Sequence, residues 1–221
     1  MLRFESNGSH RHRRVASHPS LMPATPPTSP EDLRALRREL RARRRAVPAG
    51  ERRRAAHRLA SRVERAGWLS RGLRIALFLS LPEEIDTAPL IARAGQRGCR
   101  IHLPRVTDYQ RSRMQFFRLR AGLVRGRYGI LEPRPGLPTR VSQLDVVLMP
   151  LVGFDLRGNR IGMGKGYYDR ALGFRRTSVR TRQPLLVGLA YECQRVDALP
   201  VRTHDVPLDR LVTERVTRRF R

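Results

Sequence analysis

The run Leu144-Asp-Val-Val-Leu-Met-Pro-Leu-Val-Gly-Phe-Asp-Leu-Arg-Gly-Asn-Arg-Ile-Gly-Met-Gly-Lys-Gly-Tyr-Tyr-Asp-Arg170 opens on a short apolar stretch, Asp145 to Met149, that is stopped by Pro150. A continuous apolar run of this length, bounded by a proline, reads as a strand buried on both faces, the usual situation in a parallel sheet covered by helices. Gly158, Gly162, Gly164 and Gly166 follow. Glycines let the backbone turn its N–H groups toward an anion with no Cβ in the way. The loop then enters a helix predicted from about Gly166 to Leu172, whose N-terminus favours negative charge.

Lys165 is the only lysine among 46 basic residues, and it stands inside this loop. Arginine presents a rigid planar fork and lysine a compact charge on a flexible stem, so a lysine kept in so arginine-rich a chain points to a place the fork cannot fit. A tight phosphate-binding loop is such a place. The spacing is not that of the common nucleotide loop, which needs a glycine six residues before its lysine and a hydroxyl after it; here those positions are Asn159 and Gly166. A metal on a nucleotide would then need carboxylates. Asp169 lies four residues past Lys165, on the same helix face if the helix has begun there, and Asp205 and Asp209 are further candidates in a chain otherwise poor in acids. For Asp209 a cap or salt bridge is an equal alternative.

Working outward, Ser29 is the expected N-cap of a first helix, with Pro30 at its first position, Glu31 and Asp32 in its first turn, and Leu33, Leu36 and Leu40 as its apolar stripe. A second helix is predicted from about Pro48 to Ala66. Arg74 to Ser80 reads as a buried strand, Thr87 to Arg97 as a helix stopped by Gly98, and Cys99 to Leu103 as a strand, which makes a right-handed crossover unit. Met114 to Leu119 and Leu185 to Ala190 are further strands, and Val206 to Thr213 a last extended piece. The order predicts an α/β fold: a mostly parallel sheet with helices on both faces, three layers, one domain over residues 29–221. Residues 1–28, rich in Pro, Ser and Arg, are expected to be a disordered tail, with Met22 an alternative translation start.

The formal net charge of +27 raises a second reading, a basic nucleic-acid-binding protein on the same scaffold. The charge is spread along the chain, however, and only 6% of residues are aromatic, so stacking platforms are few and contact with nucleic acid is expected only through non-specific charge. Cys99 and Cys193 have no metal-binding spacing. No run approaches 18 apolar residues and the N-terminus lacks the apolar core of a secretory signal, so a soluble, cytoplasmic protein without a membrane partner is expected.

The Leu144 to Arg170 run closely resembles the signature of the 5-formyltetrahydrofolate cyclo-ligase family, and Phe78 to Thr87, Tyr128 to Pro133, and Leu199-Pro200 with His204 to Asp209 resemble its other blocks in the same order. The resemblance implies ATP- and magnesium-dependent closure of 5-formyltetrahydrofolate to 5,10-methenyltetrahydrofolate, with release of ADP and phosphate, by a monomer acting on a reduced folate. It places Arg37, Arg160, Ile161, Gly162, Met163, Gly164, Lys165, Gly166, Tyr167 and Tyr168 at ATP, with Lys165 and Arg160 catalytic. Leu79, Glu84, Met163, Gly164, Lys165, Gly166 and Tyr167 would contact the folate, and Asp169 and Asp205 would hold Mg2+. In one respect the chain departs from the pattern: the lysine of the family's first helix falls on Leu33, with Arg34 beside it. Arg41 and Arg43 to Arg45 are expected to form a solvated basic face of that helix.

Overall fold

The computed structural model describes residues 29–120, 122–129, 131–177 and 183–220; the expected tail over residues 1–28 lies outside them. Helix α1, Pro30–Arg45, begins as its sequence requires. The Ser29 hydroxyl accepts from Asp32 N–H, and the Asp32 carboxylate accepts from Ser29 N–H, so two orphan donors of the first turn are satisfied reciprocally. Helix α2 spans Ala49–Arg65 and α3 spans Ala88–Gln96. The strands are β1 (Arg74–Ala76), β2 (Arg100–Asp108), β3 (Arg113–Arg118), β4 (Leu123–Arg125), β5 (Leu131–Pro133), β6 (Val146–Pro150), β7 (Gly153–Phe154), β8 (Arg160–Ile161), β9 (Leu185–Leu189), β10 (Arg210–Val212) and β11 (Thr217–Arg219). Two short helices, α4 (Tyr167–Ala171) and α5 (Phe174–Thr177), lie between β8 and β9.

Seven strands form one sheet in the order β11-β10-β9-β6-β1-β2-β3. The five inner strands are parallel, and β3 and β11 add to the edges antiparallel. Successive residues of a strand face opposite sides, and the core divides accordingly. Ile75, Val146, Leu148, Val187 and Leu189 pack under Leu59 and Val63 of α2 and Leu90 of α3. Ala76, Val147, Met149 and Leu186 pack on the other side with Phe116 and, beyond α4, Leu172. Both faces are covered, which is why β6 reads as an unbroken apolar run. Helix α1 lies apart, with Leu33 and Leu40 against Val152, Ile161 and Leu199.

Several boundaries differ from the sequence expectation. The strand predicted over Arg74 to Ser80 is paired for only three residues, after which the chain leaves the sheet; Leu77 and Phe78 stay buried, and Phe78 O accepts the Thr87 hydroxyl at 2.6 Å. In the stretch from Val206 to Thr213 only β10 is strand. Asp209, just before it, is buried, accepts from Leu186 N–H at 2.9 Å and pairs with Arg175 at 2.7 Å, so of its two readings the structural one holds. Strand β11 and the small pairs β4–β5 and β7–β8 are additions; at two or three residues each, they are too short to show a period.

Candidate active site

From β1 the chain moves through α3 to β2 on one side of the sheet, and from β6 it moves to β9 and β10 on the other, so the topology reverses between β1 and β6. Loops leaving the carboxyl ends of two such strands diverge and leave a crevice. A cavity of about 320 Å³ opens there, a size that suits a small-molecule site. Glu84 reaches it from the loop after β1, and the glycine-rich loop reaches it from beyond β6 and the β7–β8 hairpin.

The glycine loop is held at two points, Gly162 and Lys165. Arg37 of α1 donates its Nε–H to Gly162 O at 2.9 Å, and Arg170 donates to the carbonyl oxygens of Lys165 and Ser112. Gly164 and Gly166 have φ of +96° and +67°, backbone states that a side chain makes costly, so glycine is required at both. The expected helix after Gly166 is only one turn, Tyr167–Ala171, so the anion-binding character rests on the loop and its cations more than on a helix dipole. Burial, and then the neighbouring Arg202, hold the Arg37 guanidinium below its ordinary pKa. Lys165 is exposed at the same cavity. Among the described residues Arg37, Lys165 and Arg202 take part in no carboxylate ion pair, so three cations face one crevice without a directly paired carboxylate.

The acids stand opposite. Asp169 pairs through Oδ1 with Arg160 Nη2 at 2.6 Å and accepts weakly from Val206 N–H at 3.4 Å. The Arg160 side chain is 5% exposed and its Nε–H has no partner. It lies beneath Asp169 as a counter-charge and is less available to a ligand than Lys165. Asp205 accepts from Arg202 N–H at 2.9 Å and stays partly exposed in the cavity wall. Burial pushes the Glu84 carboxyl upward, against the opposing pull of Leu81 N–H and Arg44. Burial and then the charge of Glu84 also raise the Tyr168 phenol, whose ring meets Phe116 edge-on.

Thus Arg37, Arg160 to Asp169, Glu84 and Asp205 come together in one cavity. Leu79 does not: it packs half-buried against the core under α2 and α3, because the irregular chain after β1 turns it away. Arg34 is also absent from the cavity, while Leu33, in the position where the family pattern has lysine, lines it. The expectation of a solvated basic face on α1 fails at its centre. Arg44 is 1% exposed and hydrogen-bonded to Glu83, which also takes Arg41 and Arg45. Burial alone would raise the Glu83 carboxyl, but the Arg41 hydrogen bond and the Arg44 charge outweigh it and hold the group low. Arg44 and the pocket residues Met114 and Arg202 were not singled out from sequence; only Arg202, three residues before Asp205, lay near a motif.

This fold and this crevice define an α/β protein whose candidate site brings a glycine-rich loop and three cations to a topological switch point. Residues 29–214 match the model of the 5-formyltetrahydrofolate cyclo-ligase family. The Escherichia coli K12 5-formyltetrahydrofolate cyclo-ligase is 37% identical over 180 residues, covering 79% of this chain and 96% of that protein. The Mus musculus enzyme of the same name is 32% identical over 190 residues, covering 82% and 93%. The solution structure of Aquifex aeolicus 5,10-methenyltetrahydrofolate synthetase superposes with a TM-score of 0.72 at 32% identity, covering 85% of this chain and 92% of that one. The chain belongs to the 5-formyltetrahydrofolate cyclo-ligase family. Among the described residues no helix is long and apolar enough to cross a membrane.

Proposed function

We propose that the protein uses ATP to close 5-formyltetrahydrofolate to 5,10-methenyltetrahydrofolate at this crevice. The observation that carries the reading is the meeting of Glu84, from one side of the topological switch, with the glycine loop and its cations from the other. The folate is held by its ring edge: adjacent N–H donors on the pterin suit the acceptor-only carboxylate of Glu84. The triphosphate lies along Arg160 to Tyr168, with Arg37 and Lys165 at its oxygens.

The formyl oxygen on nitrogen 5 attacks the γ-phosphorus, the bond to the ADP oxygen breaks, and an iminophosphate results, its formyl oxygen now bonded to phosphorus and its carbon made electrophilic. Nitrogen 10 then bonds to that carbon, the C–O bond breaks, phosphate leaves with the former formyl oxygen, and nitrogen 10 gives up its proton. Little covalent work falls to the protein, because phosphoryl transfer is catalysed mainly by positioning and by neutralising charge. Lys165, exposed and on a flexible stem, follows the transferring oxygens; Arg37 is fixed through Gly162 and orients the phosphates it faces.

Asp169 and Asp205 are the residues that would hold Mg2+. Among the described residues no group of three or more metal-ligating side chains exists, and that suits magnesium, which usually takes one or two carboxylates and completes its shell with phosphate oxygens and water. When bound, the ion neutralises phosphate charge. Substrate labelled with 18O in the formyl group tests the chemistry: the label is expected in the released phosphate. Unlabelled phosphate formed with the methenyl product would refute attack by the formyl oxygen.

A further inference from the structure

Behind Glu84 lies a group of charges that does not line the cavity. Arg44 donates from Nη2 to Glu83 Oε1 at 2.7 Å, and its Nη1 lies 3.8 Å from Glu84 Oε1 and 3.5 Å from Leu151 O. Glu83 also accepts from Arg41 at 2.6 Å and Arg45 at 3.1 Å. Arg44 is 1% exposed, so a guanidinium has been placed out of water between two neighbouring carboxylates. Such a charge is costly to bury, and removing one partner of a buried pair leaves the other uncompensated. Its surroundings screen it less than bulk water would, so at 3.8 Å it favours the ionised form of the Glu84 carboxyl.

We propose that Arg44 and Glu83 are positioning residues for the folate site: Arg44 keeps the Glu84 carboxylate ionised and in place for the substrate's ring, and Glu83 sets how much of the Arg44 charge Glu84 feels. The proposal rests on Glu84 being the ring-binding acid. The remaining groups that face Glu84 are few. Arg41 approaches from α1, Leu81 N–H donates to Oε2 at 3.0 Å, Tyr168 faces it from α4, and the Tyr191 hydroxyl donates to Glu84 O at 3.4 Å. Burial favours the protonated acid, Leu81 N–H and Arg44 favour the carboxylate, and Glu83 opposes them.

The sign follows. Only the ionised carboxylate accepts from two N–H donors at once, so folate affinity falls as pH drops through the raised pKa of Glu84. Removing the Arg44 charge moves that acid limb to higher pH. Removing the Glu83 charge moves it to lower pH, because a like charge disappears and Arg44 is freed from a competing partner.

The test is calorimetric titration of the full chain with 5-formyltetrahydrofolate, without nucleotide, from about pH 5 to about pH 8, a range chosen to bracket a raised carboxyl pKa. Arg44→Gln is expected to shift the limb up by about one pH unit, which lowers acid-side affinity about tenfold. Glu83→Gln is expected to shift it down. A purely structural lesion would weaken binding equally at every pH. Should Arg44→Gln fail to fold, the Glu83→Gln variant decides alone: a downward shift supports the proposal, and no shift or an upward one overturns it. Glu84→Gln separates the two levels. If it abolishes binding while the Arg44 and Glu83 variants keep the original limb, the proposal falls and the Glu84 assignment stands; if it binds folate normally, both fall.

Discussion

Replacing Asp169 with alanine removes the carboxylate paired with a guanidinium that is 5% exposed, and Arg160 has little else to turn to, since its Nε–H already lacks a partner. At the observed 2.6 Å contact the charge centres are about 4 Å apart, which at an effective dielectric constant of about 20 corresponds to about 4 kcal/mol of gross attraction. Asp169 keeps some contact with water, so the net cost of leaving Arg160 unpaired falls at the lower end of the range for broken buried pairs, about 3 kcal/mol. For a chain of this size that corresponds to a fall in Tm of about 6–12 °C. Urea unfolding should show a lower midpoint with an unchanged slope. In an Arg160→Met background the same substitution should cost about 1 kcal/mol or less, because the stranded charge is gone. A single-variant loss under about 1 kcal/mol, or additive losses in the double variant, would refute the counter-charge role given to Arg160. The milder Asp169→Asn should raise the magnesium needed for turnover and leave folate affinity unchanged; the reverse pattern contradicts its assignment.

Three further outcomes can be checked independently. Lys165→Arg should lower turnover about 10²-fold, the usual effect of losing one well-placed electrostatic contact, and unchanged steady-state turnover would make the residue a bystander. Gly164→Ala, at a φ of +96°, should cost about 1–2 kcal/mol and raise the KM for ATP more than that for folate; an unchanged KM for ATP would sink the claim that this backbone turn shapes the phosphate site. Glu83, held low by its arginines despite burial, contributes stability that is present above the ordinary glutamate pKa and lost as pH falls through its depressed one. Glu83→Gln should therefore flatten the acid side of the stability curve, and a curve as steep as that of the unaltered protein would show that the arginines do not act through this carboxylate.

The parallel sheet was legible because β6 and the start of β1 are buried on both faces, and burial on both faces removes polar residues from the sequence itself. The site's loops were legible for another reason. A glycine run with one lysine and a carboxylate a helical turn on is a local pattern, and the structure keeps it local. Arg44 was legible only in part. One further turn of the Leu33, Leu36 and Leu40 stripe falls on it, between the exposed Arg43 and Arg45, but its partner Glu83 lies nearly forty residues away and no local pattern connects the two. Leu79 failed in the opposite way. Its motif neighbour Glu84 reaches the cavity, but β1 ends early, and the irregular chain between them turns Leu79 into the core. Arg202 likewise becomes a pocket residue only because its loop is folded against the Arg37 side of the crevice.

Cyclisation of 5-formyltetrahydrofolate at this crevice should consume ATP. The most direct measurement mixes the purified, reduced protein with 5-formyltetrahydrofolate, ATP and Mg2+ and follows the absorbance of the methenyl product. Absorbance should grow only when all three are present, with one ADP formed per product. Folded protein that yields no methenyl product, or yields it at the same rate without ATP, would contradict the proposed function.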